Sequence, residues 1–166
     1  MRPAPRSLLA LCGLAVLLAA CESAPVTGRS QMMLVSESEE RQMGLQAYQQ
    51  VLSKESLSYD AETNALVEKV GRRIAAAAER PPNDLWRAPR FRWEFKTVDK
   101  NEPNAFCLPG GKVVVYTGIL PITKIEAGLA VVIGHEVAHA LARHGAERMS
   151  DQMVAQVGRA SCRERV

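Results

Sequence analysis

The chain lacks most of what would mark a disulfide-knit, nucleic-acid-binding or membrane-spanning protein. It has four cysteines in 166 residues, but Cys12 and Cys21 sit within and at the end of an apolar leader, and Cys162 sits in an Arg-rich tail. Only Cys107 remains in the middle, so the even count describes no disulfide framework. Cys107 is either a buried thiol or the partner of a cysteine outside the residues shown. The formal charge of +3 is equally uninformative. Residues 1–20 carry two Arg and no acid, and residues 158–166 carry three Arg and one Glu, so residues 21–157 come to −1. That balance excludes reading a nucleic-acid partner from charge. The longest apolar run, residues 8–20, falls short of the roughly 20 positions that a spanning helix needs. Internal repeats and long low-complexity stretches are missing too. Histidine is scarce: the three present are His135, His139 and His144, too few for a zinc store.

The two ends read as something other than fold. Arg2 and Arg6 followed by the apolar run fit a cleaved signal peptide over residues 1–20. The sequence Leu18-Ala19-Ala20-Cys21 resembles a bacterial lipobox, which makes Cys21 the expected lipidation site and the start of the mature protein; an ordinary signal peptide cut nearby is the alternative. Acyl chains on Cys21 hold a protein to a membrane at about 0.8 kcal/mol per buried methylene. In lipoproteins of this kind the next residue influences sorting, and Glu22 rather than Asp favours the outer membrane, facing the periplasm. Residues 158–166 resemble a translated sequencing adapter, so native sequence is expected to stop near Val157; a genuine charged tail is the alternative.

Between the ends lie a tether, residues 21–35, and one domain, residues 36–157, long enough for a core. Ser36 and Glu39 form a capping box for a helix to about Lys54, with Met43, Ala47 and Val51 on one side. Asp60 caps a second helix, with Leu66, Val70, Ile74 and Ala77 on its inner stripe and Pro81-Pro82 as its stop. Phe91, Trp93 and Phe95 alternate with Arg92, Glu94 and Lys96. That pattern favours a half-buried strand over a base-stacking surface. Pro109-Gly110-Gly111 between two apolar runs predicts a hairpin of Ala105–Leu108 with Lys112–Tyr116. Thr123 and Glu126 predict a capped helix ending at Gly145, and a last helix runs from about Ala146. Helices around a small antiparallel sheet make an α+β domain.

The chemistry is carried by His135-Glu136-Val137-Ala138-His139. Residues four apart lie one turn above another on the same helix face, so both imidazoles can reach one Zn2+. Glu136 projects beside that face, placed to take a proton from water at the metal. A core helix with two hydrogen-bonded histidines is the alternative reading. Catalytic zinc usually takes three protein ligands. His144 comes one residue too early for the glycine-turn spacing His-Glu-x-x-His-x-x-Gly-x-x-His, whose glycine position is Ala142 here. It reads instead as a helix-end residue at the negative pole of the dipole.

The stretch Asn104-Ala105-Phe106-Cys107-Leu108-Pro109-Gly110-Gly111-Lys112, then Val115-Tyr116-Thr117-Gly118, then Gly134-His135-Glu136-Val137-Ala138-His139 resembles the Oma-like and CAAX-prenyl-protease-like zinc endopeptidases. Pro25-Val26-Thr27-Gly28-Arg29 is similar to their periplasmic lipoprotein branch. The resemblance implies a mostly helical zincin fold with the gluzincin ligand set: His135, His139 and a glutamate in a Glu-x-x-x-Asp segment tens of residues downstream. Residues before Val157 supply no such segment, since Glu147 is too close. The resemblance further implies Glu136 as general base, protein or peptide substrates and envelope quality control. Substrate backbone would bind along Ala105, Phe106, Cys107 and Leu108 or along Lys112–Tyr116. The competing function is a lipoprotein chaperone or binding module with a vestigial metal site.

Overall fold

Capping side chains decide where the first two long helices begin. In the computed structural model, which describes residues 21–23, 28, 30–80 and 91–163, helix α1 spans Glu37–Lys54 and helix α2 spans Ala61–Ala78. Ser36 accepts from the Glu39 amide while the Glu39 carboxylate accepts from the Ser36 amide, the reciprocal box expected from the sequence. Asp60 accepts from the Glu62 amide at 3.0 Å and from the Thr63 hydroxyl at 2.5 Å. These bonds hold the Asp60 carboxyl below its ordinary value, the Thr63 hydroxyl contributing most. The expected leader, the Pro81-Pro82 stop and most of the Pro25–Arg29 stretch lie outside the described residues.

A two-stranded antiparallel ribbon, β1 (Cys21–Ser23) with β2 (Ser30–Met32), precedes α1. Three further strands follow α2: β3 (Glu94–Val98), β4 (Ala105–Leu108) and β5 (Lys112–Tyr116). They form a sheet of order β3-β5-β4. The β4–β5 hairpin forms as expected, with Cys107 opposite Val113, and Gly110 and Gly111 turn it at φ 89° and 84°. The sheet as a whole is mixed rather than antiparallel, because β3 runs parallel to β5. Burial explains the order. Every residue of β5 is buried, and a strand covered on both faces belongs in the middle, flanked on both edges. Phe91 and Trp93 precede β3 rather than forming part of it, yet their rings continue its packing, with Trp93 stacked on Phe95 at 6.3 Å.

The pleat sorts the sheet into two faces. Phe95, Ala105, Val113 and Val115 pack against Val67 and Val70 of α2 and against the motif-bearing helix, α4 (Glu126–Leu141). Val98, Val114 and Tyr116 point the other way, onto Tyr48 of α1. The sheet is therefore a middle layer, with α1 on one side and α2 with α4 on the other. Gly71 lets α2 come this close, since a methyl at its Cα would overlap the Phe95 ring. The expected stripes are met in part: Leu66, Val70 and Ile74 of α2 and Val51 of α1 pack on the core. The buried line of α1 is Glu40, Gly44 and Tyr48, leaving Met43 exposed; that of α2 is Val67, Val70, Gly71 and Ala75, leaving Ala77 exposed. Small residues mark close approach here, and apolarity alone missed Gly44 and Gly71.

The expected capping box of the motif helix does not form. Thr123 ends a separate turn, α3 (Leu120–Thr123), that follows a 3₁₀ turn at Thr117–Ile119, and the cap position is Ile125. Glu126 instead bridges Lys69 and Arg73 of α2, both at 2.7 Å. The helix also stops earlier than Gly145. Arg143 turns the chain at φ 56°, and α5 (His144–Arg163) starts at the next residue. Residues 31–35 of the expected tether are docked on this junction. Gln31 and Val35 are buried, and the Leu34 amide donates to Ser150 Oγ at 2.9 Å. No helix among the described residues is long and apolar enough to cross a membrane.

Candidate metal centre

Helix α4 buries Leu129, Ile133, Val137, Ala140 and Leu141 in the core, which turns the opposite face outward. His135 and His139 lie on that outer face, one turn apart, with ring centroids at 4.4 Å. Their Nε2 atoms face each other at 3.0 Å. Two ligand atoms on a tetrahedral zinc with bonds of about 2.0–2.1 Å stand about 3.3–3.4 Å apart. The pair is therefore close to a ligand separation before any ion is added, and two neutral imidazole nitrogens suit zinc chemically. Among the described residues, no group of three His, Cys, Asp or Glu side chains is arranged to hold a metal. His135 and His139 are two nitrogen donors that fit such an ion.

His144 sits elsewhere than the sequence suggested. It is the first residue of α5, at the positive end of that helix rather than the negative end of α4. Its Nδ1 meets Nδ1 of His139 at 2.7 Å. That contact is on the far side of the His139 ring from the paired Nε2 atoms, so His144 does not extend the donor pair.

A cleft of about 700 Å³ opens beside the motif, lined by Phe106, Cys107, Leu108, Glu136, His139 and His144 among others. The strands and the helix thus bring the expected substrate-binding segment and the expected base to one cavity. Of the two candidate segments, β5 is the central strand and β4 the edge. The Tyr116 amide donates to the Asn104 carbonyl at 2.9 Å, which fixes the alternation of the ladder. Asn104, Phe106 and Leu108 turn their backbone groups toward β5, whereas those of Ala105 and Cys107 point to the open edge. The Cys107 side chain faces α4, and burial, then the Glu136 carboxylate, push its thiol up to about 12. Among the described residues it is a free thiol.

Sequence reading missed the pair that braces the site. Arg143 and Glu40 form an ion pair at 2.8 Å with both side chains 6% exposed. Arg143 also donates to the Val35 carbonyl at 3.0 Å, tying α1 and the segment before it to the α4–α5 junction. A glutamate in a polar helix and an arginine before a histidine carry no local signal of burial; their separation of 103 positions hides the pairing.

Comparison with known proteins agrees with this geometry. The family described as Peptidase family M48 matches residues 61–163. The mitochondrial metalloendopeptidase OMA1 of Schizosaccharomyces pombe is 39% identical over 132 residues, covering 78% of this chain and 37% of the relative. OMA1 of Saccharomyces cerevisiae is 36% identical, with 78% and 39% covered. The β-barrel assembly-enhancing protease of Yersinia pestis is 30% identical, with 82% and 26% covered. The chain spans less than two fifths of the length of these relatives. A match over more than half of its residues, centred on the histidine helix and its neighbouring sheet, makes the chain a member of peptidase family M48, among the Oma-like HExxH endopeptidases.

Proposed function

We propose that the chain is part of a zinc-dependent metalloendopeptidase of the bacterial cell envelope. It would cleave misfolded or membrane-associated proteins. The observation that carries this reading is the facing pair of His135 and His139 nitrogens at 3.0 Å, beside a cleft that also holds Glu136 and an edge strand. Zinc at that pair supplies a Lewis acid for the scissile carbonyl and a water whose pKa is lowered toward neutrality. The third ligand is a carboxylate from outside the described residues. Glu136 takes the attacking water's proton and later hands it to the leaving amine. The edge strand β4 binds the substrate backbone by strand addition, since the ladder turns the amide and carbonyl groups of Ala105 and Cys107 away from β5.

The name of the Yersinia pestis relative, a β-barrel assembly-enhancing protease, supports an envelope setting, with Cys21 as the lipid anchor in the outer membrane. Cys21 lies opposite Met32 in the β1–β2 ribbon, next to the buried Gln31, so a lipid on Cys21 would hold the domain close to the bilayer. The test is Glu136→Gln in the full-length protein, assayed on casein and on an unfolded envelope protein, with zinc content measured alongside. Retained zinc with proteolysis lost is the expected result. Cleavage at the parent rate would overturn the assignment. A parent protein that suppresses aggregation without cleaving, with or without chelator, would favour the chaperone reading.

A further inference from the structure

A ligand histidine has two ring nitrogens, and the hydrogen bond made by one selects the work of the other. In this chain Nε2 of His139 faces Nε2 of His135, while its Nδ1 meets Nδ1 of His144 at 2.7 Å. We propose that His144 is a positioning residue for the metal centre. Its Nδ1 accepts the Nδ1–H of His139 and so fixes the tautomer and ring orientation that present His139 Nε2 to zinc. The inference rests on the zinc reading above.

The donor–acceptor arithmetic allows one arrangement. A neutral imidazole that gives its Nε2 lone pair to a metal carries its proton on Nδ1. That proton points at His144 Nδ1, which must then be the unprotonated nitrogen of its ring, with the proton of His144 on Nε2. The rings are 4.9 Å apart between centroids and tilted by 56°, compatible with an in-plane contact between nitrogens rather than a stack.

The backbone is shaped to deliver this contact. On an uninterrupted helix, His144 would fall well round the axis from His139. The turn at Arg143, with φ 56°, breaks the helix and redirects the next residue. A left-handed non-glycine residue costs roughly 1–2 kcal/mol. Here it is held by the buried pair with Glu40 and by the bond to Val35. Gln31 Nε2 also donates to the Ala142 carbonyl, at 3.4 Å. Three contacts from the N-terminal segment and α1 thus converge on the two residues before His144, and none of them touches the histidine itself. They set its backbone and leave its ring to His139.

The test compares the full-length protein with His144→Leu and His144→Asn, reading zinc affinity by competition with a chromophoric chelator. Leucine keeps bulk and removes the acceptor, whereas the Asn carbonyl oxygen can stand where Nδ1 stood. We expect His144→Leu to bind zinc about 10–100-fold more weakly, the usual cost of losing such a partner. His144→Asn should recover to within about threefold. Parent-like affinity in the leucine variant, or equal loss in both variants, overturns the proposal. Should the leucine variant fail to fold, long-range proton–nitrogen NMR of the zinc-loaded parent decides: His139 protonated on Nδ1 and His144 on Nε2 supports the proposal, and a proton on His144 Nδ1 overturns it. A parent protein that binds no zinc overturns the zinc reading, which this comparison separates from loss confined to the variants.

Discussion

Glu40 and Arg143 provide the sharpest test of how the site is held. Their side chains are each 6% exposed, their contact is 2.8 Å, and they join α1 to the junction between the motif helix and α5. Removing one partner strands the other as a buried charge, which costs about 3–5 kcal/mol. Glu40→Leu should therefore lose about that much, and Arg143→Met slightly more, because the buried Val35 carbonyl also loses a donor, worth about 1 kcal/mol. Methionine meets the left-handed backbone as arginine does, so that cost cancels in the comparison. The double variant removes both charges. It should return to within about 2 kcal/mol of the parent and be more stable than either single change. Urea unfolding of the four proteins measures this, and raising the salt should leave the difference in place, since buried pairs are little screened. Single losses below about 1 kcal/mol, or a double variant as unstable as the sum of the two, would refute the bracing role.

Desolvation makes the half-buried Cys107 a poor nucleophile. With its thiol pushed up to about 12, the thiolate fraction at pH 8 is about 10⁻⁴ against roughly 0.1 for an ordinary cysteine, so iodoacetamide should react about a thousandfold more slowly than with a free thiol; a rate within tenfold would contradict the desolvation. The folded thiol keeps its proton above the ordinary value of 9.0, so this group's contribution is complete below pH 9 and fades as pH rises toward 12. A Cys107→Ala protein should accordingly lose less stability between pH 8 and 10.5 than its parent. Gly71→Ala places a methyl into the Phe95 ring and should cost about 1–3 kcal/mol by thermal or urea unfolding, whereas Gly145→Ala, with open space around it, should be neutral or slightly stabilising. Chelation of the full-length protein should abolish casein cleavage, and zinc should restore it; full activity in excess chelator would argue against a metal step.

The fold was legible where the signal is local, and the site where it is periodic. Ser36 with Glu39, and Asp60, announce two helix starts, because a cap is settled by a handful of neighbouring atoms. The spacing of His135 and His139 is likewise a property of one helix, and one turn of that helix brings their rings together. Thr123 and Glu126 offered the same capping signal and misled, because Lys69 and Arg73 on α2 draw the Glu126 carboxylate away. Tertiary charge outweighed a cap worth about 1 kcal/mol. The parallel pairing of β3 with β5 was hidden for a related reason. Alternation tells which face of a strand is buried and nothing about its neighbour, whereas the unbroken apolar run Val113-Val114-Val115 was the available hint that this strand lies between two others. Arg143 defeats sequence reading altogether. A left-handed arginine looks like helix in composition, and what permits it is a glutamate 103 residues earlier. On the proposed zinc reading the demand falls there: a helix that presents two ligands must end abruptly if the next side chain is to hold the second ligand from behind, and that abrupt ending needs support from distant parts of the chain.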